Sequence, residues 1–415
     1  MNHILIIGFV WPEPNSTAAG QRMLHLIQLF LSQNWKISFT SAASYSDKSI
    51  DLNTFGVTTF STEINNNVFD NQIKELNPDI VVFDRYITEE QFGWKVSKHC
   101  PNALKILNTE DLHCLRKVRQ EAFKNNSIFD VKRLFQSDIA KREIASIYRC
   151  DLSLMISDYE LSLLQEHFKI DDSLLFYLPF LFDPIKKENK QNWPNYENRQ
   201  HFVTIGNFKH EPNWNSVQYL KETIWPLIKR ELPKAELHIY GAYPPTKANM
   251  LHAPKEGFLV KGWAKSASTI MSQARVCLAP LRFGAGIKGK LTEAMLNGTP
   301  SVTTNIGAEG MLGSESDWNG FITDDPDSFA KASIHLYNNK EIWKQSQQNG
   351  IEIINTRFQK EQFCTNFINT ILTLQNNQTK HRDNNFIGSM LQYHFLRSTE
   401  FMSRWIEEKN NKTQI

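Results

Sequence analysis

The sequence predicts an α/β protein built from two doubly wound domains that face each other across a cleft. Three observations predict it. Short apolar runs alternate with amphipathic stretches through residues 1–182, a polar segment over 183–200 interrupts them, and the alternation then resumes to about residue 375. Continuous apolar runs separated by helices mark strands buried on both faces of a parallel sheet. Two such blocks in 415 residues, with 41% hydrophobic and 22% charged side chains, fit two cores better than one. The expected organisation is a first domain over 1–182, a linker over 183–200, a second domain over 201–375, and a tail with one more helix over 376–415.

In the first block the runs are ILIIGFV, WKISFT, DIVVFD, ALKIL and DLSLMIS. Between the first two, AGQRMLHLIQLFLSQ places Leu24, Ile27 and Leu31 at helical spacing. ILIIGFV is too short to span a membrane and lacks the basic region and small-residue cleavage site of a secretory signal, so it reads as the first buried strand. The linker, DPIKKENKQNWPNYENRQ, is polar and charged and carries Pro184 and Pro194. The second block runs through HFVTIGNF, AELHIYG, GFLVKGW, ARVCLAPL, PSVTT and GFIT. A helix over 213–232 puts Val217, Leu220, Ile224, Leu227 and Ile228 on one face. In the tail, Ile387, Met390, Leu391, Phe395 and Phe401 form a stripe expected to dock on the body, with partner binding as the alternative.

Composition removes several classes of function. A net charge of +2 points to neither nucleic acid nor an acidic partner. The cysteines at 100, 114, 150, 277 and 364 are scattered, without metal-ligand spacing, as in a reduced cytoplasmic chain. In doubly wound sheets, ligands sit beyond the carboxyl ends of the strands, which makes the cleft the expected site.

One stretch of the second block carries the chemistry: PLRFGAGIKGKLTEAMLNGTPSVTTN, residues 280–305. A glycine-rich turn between a strand and a helix suits an anion, because backbone approaches closely and the first free amides meet the helix dipole. Gly284, Gly286 and Gly289 match a dinucleotide fingerprint, but that fingerprint needs an acidic residue ending the next strand. That strand ends at Asn305, and Glu309 lies beyond it. Gly284, Gly289 and Lys290 also approach a P-loop, which fails at Leu291: no hydroxyl stands beside the lysine, and Thr292 is one residue late.

The wider pattern, PLRFGAGIKGKLTEAMLNGTPSVTTNIGAEGM, resembles the donor-binding region of GT-B glycosyltransferases of family GT4, in their GAG.K subgroup. The resemblance extends upstream through IGNFKHEPNWNSVQYLKETIWPLI and AELHIYGAYP, and downstream through NGFITDDPDSFAKASIHLYNN. In the first half it is thinner, resting on GFVWPEPNSTAAGQRMLHLIQLF. It implies a GT-B enzyme of polysaccharide biosynthesis that moves a sugar from a nucleotide-diphosphate donor to a glycan or lipid-linked acceptor, with retention. No cofactor beyond the donor substrate and no essential metal are expected.

By the same resemblance, Glu293 accepts hydrogen bonds from the ribose hydroxyls. Gly284, Ala285, Gly286 and Ile287 form the donor loop, and Lys288 stands near the departing phosphate, where a cation stabilises developing charge. Arg282 or Lys290 could serve instead, and each could equally be a solvated loop cation. Gly206 and Lys209 complete the donor set. Two departures stand out: Ala285 replaces a common glutamate, and Lys209 is the only cation in GNFKHEPN, where many members place Arg and Lys.

On the first domain, Gly20 opens the helix after the first strand, either to admit phosphate or acceptor or as an ordinary cap. LNTEDLHCLR brings Glu110, Asp111 and His113 to a strand's carboxyl end. His113 and Asp111 are the candidates to meet the transferred sugar, a structural histidine being the alternative. Asp325-x-Asp327 looks like a metal motif, but Pro326 makes it a helix start. The stretch 116–149 is rich in Lys and Arg. It reads either as a solvated helical face or as peripheral contact with the inner face of a membrane. Two rivals remain: a nicotinamide-dependent oxidoreductase, and a non-catalytic nucleotide-sugar or glycan-binding module.

Overall fold

The computed structural model describes residues 2–313 and 317–412. The first sheet contains β1 (His3–Gly8), β2 (Lys36–Ser41), β3 (Thr58–Ser61), β4 (Ile80–Asp84), β5 (Leu104–Asn108), β6 (Leu152–Met155) and β7 (Leu175–Tyr177). Its strand order is β3-β2-β1-β4-β5-β6-β7, and every pairing is parallel. The apolar run of β1 is buried throughout because its side chains serve two cores. Leu5 and Ile7 pack with Val81, Phe83 and Leu107 on one face; Ile4 and Ile6 pack with Phe30, Val82 and Ile106 on the other. The sequence reading passed over β3 and β7, which are the edge strands. β3 is polar and partly exposed and presents no continuous apolar run; β7 is short, only Leu175–Tyr177, and its apolar run LLFYL was passed over.

The second sheet repeats the plan with β8 (Gln200–Ile205), β9 (Leu237–Tyr240), β10 (Phe258–Gly262), β11 (Ala274–Ala279), β12 (Ser301–Thr303) and β13 (Gly320–Ile322). Its order is β10-β9-β8-β11-β12-β13, again all parallel. Strand order reverses between β1 and β4 in one sheet and between β8 and β11 in the other, so the loops after these four strands open toward a shared crevice.

The helix expected over 213–232 starts earlier, at Glu211, and passes through a π-turn at Leu220–Ile224 before Trp225–Glu231. Pro226 has no N–H to donate, and the wider turn ahead of it absorbs that loss. Val217, Leu220, Ile224 and Ile228 are buried as expected, and Leu227 is half-buried.

The chain crosses between the domains twice, side by side. The Phe182 amide donates to the Phe358 carbonyl (2.8 Å), and the Lys360 amide donates to the Phe182 carbonyl (2.9 Å). After the second crossing, the helix Lys360–Asn376 buries Phe367, Ile368 and Ile371 in the first-domain core beside Ile4, Ile6 and Phe30. The expected limit of the second domain at residue 375 is therefore corrected to the crossing at Phe358–Lys360. Helical periodicity reveals an apolar face without saying which core receives it.

The last helix, Phe386–Lys412, lies on the first-domain helices Arg85–His99 and Asp138–Arg149. It docks, and among the described side chains those that meet the body are small or polar. Gln392 Nε2 donates to the Arg149 carbonyl (2.9 Å), Ser403 Oγ donates to Asn65 (3.3 Å), and a Cβ on buried Gly388 would lie 2.2 Å from the Tyr148 carbonyl. Of the stripe expected to dock, Ile387, Met390 and Phe401 are exposed and Leu391 is half-buried. The Phe395 side chain lies outside the described residues. Phe386, Tyr393 and Trp405 are exposed as well. Among the described residues no helix is long and apolar enough to cross a membrane.

Candidate active site

A cleft of about 590 Å³ opens between the carboxyl ends of the two sheets. On the second-domain side, β11 leads through a loop into the helix Gly289–Leu296, whose first turn has no side-chain cap. Gly284, Ala285, Gly286, Ile287, Lys288, Lys290 and Glu293 line the cleft there, joined by Gly206 and Lys209 from the loop after β8. Glu293 Oε1 accepts a hydrogen bond from Asn297 Nδ2 (2.9 Å). Burial raises the Glu293 pKa, and this bond partly offsets the rise.

The cations of this wall differ in what holds them. Lys288 is buried, its Nζ donates to the Gly286 carbonyl (2.6 Å), and burial pulls its pKa down. Lys290 is pulled down to about 8 by burial, and among the described residues it makes no ion pair. Lys209 Nζ stands 3.8 Å from the centre of the Tyr243 ring. Arg282 is placed elsewhere. Its guanidinium is sandwiched between Phe123 and Tyr219, at 4.5 and 4.2 Å from the ring centres, and Nε donates to Asn215 (2.9 Å). It does not line the cleft, so the expectation that it binds donor is corrected: two aromatic faces and an amide hold it outside.

On the first-domain side, Asp111 and His113 follow β5 and line the cleft with Glu110 and Arg116. Burial alone would raise the Asp111 carboxyl, but Arg116, His113 and His210 hold it well below the usual carboxylate range. Arg116 forms an ion pair with Asp111, and His113 Nε2 lies 3.5 Å from the same carboxylate. Burial keeps both imidazoles neutral, His113 near pKa about 4 and His210 near about 3. His113 opens the helix His113–Lys124, whose first amides, at His113 and Cys114, donate to Glu143 at 3.0 and 2.9 Å. Gly20 also lines the cleft, but it is not a cap. Thr17 caps the helix Ala18–Ser32 by accepting from the Gly20 amide (2.9 Å). A Cβ at Gly20 would meet Glu13 backbone at 2.6 Å, so the overlying loop is what requires glycine.

The two walls touch through the glycine loop. Gly286 has φ +64°, and a Cβ there would lie 2.8 Å from the Asp111 Cβ; one at Gly289 would lie 2.5 Å from the Ala18 Cβ. The Gly286 amide, expected at a phosphate, donates instead to Glu160 of the first domain (2.8 Å), which also accepts from Leu112 (3.1 Å). Arg119 reaches across to Glu309 with two bonds of 2.7 Å and donates to the Gly284 carbonyl (2.9 Å). At the opposite rim, Tyr243 donates to Glu13 (2.7 Å) and Trp263 to Ser16 (3.2 Å).

Sequence reasoning missed Arg85, Arg116, Arg119, Glu160, His210 and Glu309 as parts of this centre. Arg85 carries a local signal only in hindsight, as the residue just after the strand DIVVFD, and Arg116 pairs with nearby Asp111; the others act through partners far away in sequence. The basic stretch 116–149 is largely neutralised at home. Arg116, Arg119, Arg142 and Arg149 pair with Asp111, Glu309, Glu90 and Glu89, and Lys117 and Lys141 pair with Glu121 and Asp138. Asp325 caps the helix Pro326–Asn338 by accepting from the Ser328 amide (2.8 Å), as a helix start requires.

Two Rossmann-like sheets facing across one crevice, with a phosphate-type loop on the second, define the GT-B class of glycosyltransferases. Residues 199–339 match the family profile described as glycosyl transferases group 1, and the second domain is a domain of that kind. The structure is similar to sucrose-phosphate synthase from Thermosynechococcus elongatus, with TM-score 0.66 and 14% identity over 90% of this chain and 99% of that one. It is also similar to TarM of S. aureus (0.66, 11%, 89% and 99%) and to Anabaena HepE in complex with UDP and glucose (0.65, 13%, 90% and 100%). Among curated proteins, no sequence match is found.

Proposed function

We propose that this protein transfers a sugar from a nucleoside-diphosphate donor to a glycan or lipid-linked acceptor, with retention of configuration. The observation that carries the reading is Glu293 lining the cleft about one turn into the helix that Gly289 opens, with Lys288 and Lys290 at its mouth. In this reading Glu293 accepts from the ribose hydroxyls, the amides of Gly289 and Lys290 meet the diphosphate, and Lys288 and Lys290 stabilise charge on the leaving phosphate. Asp111 and neutral His113 face the transferred sugar from the other wall. HepE, a structural neighbour held with UDP and glucose, supports this choice of donor class. A nicotinamide cofactor is less well served. The carboxylate nearest a dinucleotide's ribose position, Glu309, is engaged on both oxygens by Arg119.

A lipid-linked acceptor and peripheral membrane contact belong to the same proposal. They are supported by the outward stripe Phe386, Ile387, Met390, Phe401 and Trp405. Calorimetric titration with UDP and GDP, followed by a screen of nucleotide sugars for slow hydrolysis, tests the core claim. Binding of one nucleotide, lost in Glu293→Ala, and hydrolysis of its sugar conjugate are the expected results. Binding without hydrolysis or transfer would make the protein a non-catalytic binding module, and NADH binding would replace the reading altogether.

A further inference from the structure

The first-domain wall holds one cation, Arg85, that no hydrogen bond or ion pair answers among the described residues, though the Glu110 carboxyl lies close enough to feel its charge. Arg85 follows β4 as the first residue of the helix Arg85–His99 and lines the cleft, yet its Nε is fully buried without a hydrogen-bond partner, and among the described residues its guanidinium makes no ion pair. Its arginine neighbours in this domain differ in being anchored through other nitrogens, although Arg22 Nη2 and Arg119 Nε are likewise buried without a partner. Arg22 donates to Asn108 and two carbonyls, while Arg116, Arg119, Arg142 and Arg149 each face a carboxylate. A buried donor left unmatched costs stability, and such groups persist where a ligand completes them.

The backbone shows that the placement is built. Arg85 has φ +75° and Glu110, at the end of the neighbouring strand β5, has φ +64°. Left-handed conformations are costly for side chains of this size and gather at functional sites. Two occur side by side here, both in residues that line the cleft. The guanidinium rests on the Phe9 ring at 4.9 Å, which fixes its plane without neutralising it. The nearby Asp84 carboxylate is committed to the Phe9 amide (3.2 Å) and to Asn108 (3.3 Å), and Asn108 also holds Glu110 (2.9 Å).

We propose that Arg85 anchors an acidic group of the acceptor, so that the acceptor carries a carboxylate or a phosphate beside its accepting hydroxyl. The inference rests on reading the second-domain wall as the donor side. There the diphosphate already has Lys288 and Lys290, and Arg85 stands on the opposite wall. Glu110, pushed up by burial and by Asp84, sets a carboxyl beside the anchor that can hydrogen-bond a sugar hydroxyl.

The test uses the full chain loaded with UDP. Methyl glucuronide, methyl glucoside 6-phosphate and methyl glucoside are titrated against wild type, Arg85→Gln and Arg85→Lys, with thermal melts to show that the variants fold. The two acidic probes separate a uronate from a phosphate. At least one should bind about tenfold tighter than the neutral glucoside. Arg85→Gln should erase that preference while UDP affinity stays within about twofold, and Arg85→Lys should keep part of it. Equal binding of all three probes to wild type overturns the proposal. So does a loss of UDP affinity in Arg85→Gln without any acid preference, which would assign the cation to the donor. If wild type binds no UDP, the donor reading itself falls, and the same probes titrated alone still decide whether Arg85 selects acids.

Discussion

On the second-domain side of the cleft, one continuous stretch from Gly284 to Glu293 supplies loop, cations and carboxylate. On the first-domain side, Glu13, Arg85, Glu110, Asp111 and His113 come from the ends of three strands, and Glu160 and Arg119 support the centre from helices behind it. The second wall is thus a local structure whose parts are placed by one turn of chain. The first is an assembly in which buried charges fix one another: Arg116 with Asp111, Arg119 with Glu309, Glu143 on the amides of His113 and Cys114. The difference teaches that the second wall can be altered residue by residue, whereas a change in the first wall disturbs several buried charges at once.

The largest expected effect strikes the joint between the walls. Arg119→Ala leaves the Glu309 carboxylate without its partner and should cost about 3 kcal/mol in urea denaturation. Glu309→Ala should cost a comparable amount, and the double variant much less than the sum. Additive losses would mean that the two residues act independently and that the walls are joined elsewhere. Next comes Glu293→Ala, which should weaken UDP binding about tenfold or more, the range of a hydrogen bond to a charged group. The variant should no longer distinguish UDP from 2′-deoxy-UDP. Retained discrimination would move the ribose off this wall.

A smaller effect separates two roles of glycine. Gly286→Ala adds a Cβ against Asp111 at a positive φ, at a cost of about 1–2 kcal/mol. If the loop serves mainly to admit the first domain, small-angle scattering should show a more open molecule. If it serves mainly a phosphate, UDP affinity should fall with the shape unchanged. The smallest effect is on pH. Burial lowers the Lys290 pKa to about 8, so its positive charge is present below that pH and lost above it. UDP affinity should therefore drop a few-fold, about 1 kcal/mol, as pH rises from 7 to 9. Burial lowers the Lys288 pKa as well, so Lys290→Arg, which stays charged, should reduce the slope without abolishing it; an unchanged slope in that variant would exclude Lys290 as a titrating group.

How much of this was legible beforehand follows from distance along the chain. Burial on both faces of a parallel sheet forces continuous apolar runs, so both sheets and eleven of their thirteen described strands could be read directly from sequence. The polar edge strand β3 left no such trace, whereas the equally peripheral β10 and β13 did. The stretch 284–293 was readable because a strand, a glycine turn and a helix start are local events. Which surface meets each glycine was not. Gly286 and Gly289 look shaped for a phosphate, yet Asp111 and Ala18 press on them. Arg282, equally plausible as a loop cation, is taken between two rings. Of the stripe on the last helix, packing left Ile387, Met390 and Phe401 outward, while Gly388, Gln392 and Ser403 meet the body. Periodicity and turn chemistry act over a few residues, and the amino-acid order settles them alone. Partner choice among buried charges and helix faces depends on which surfaces folding brings together, and only the tertiary structure decides that.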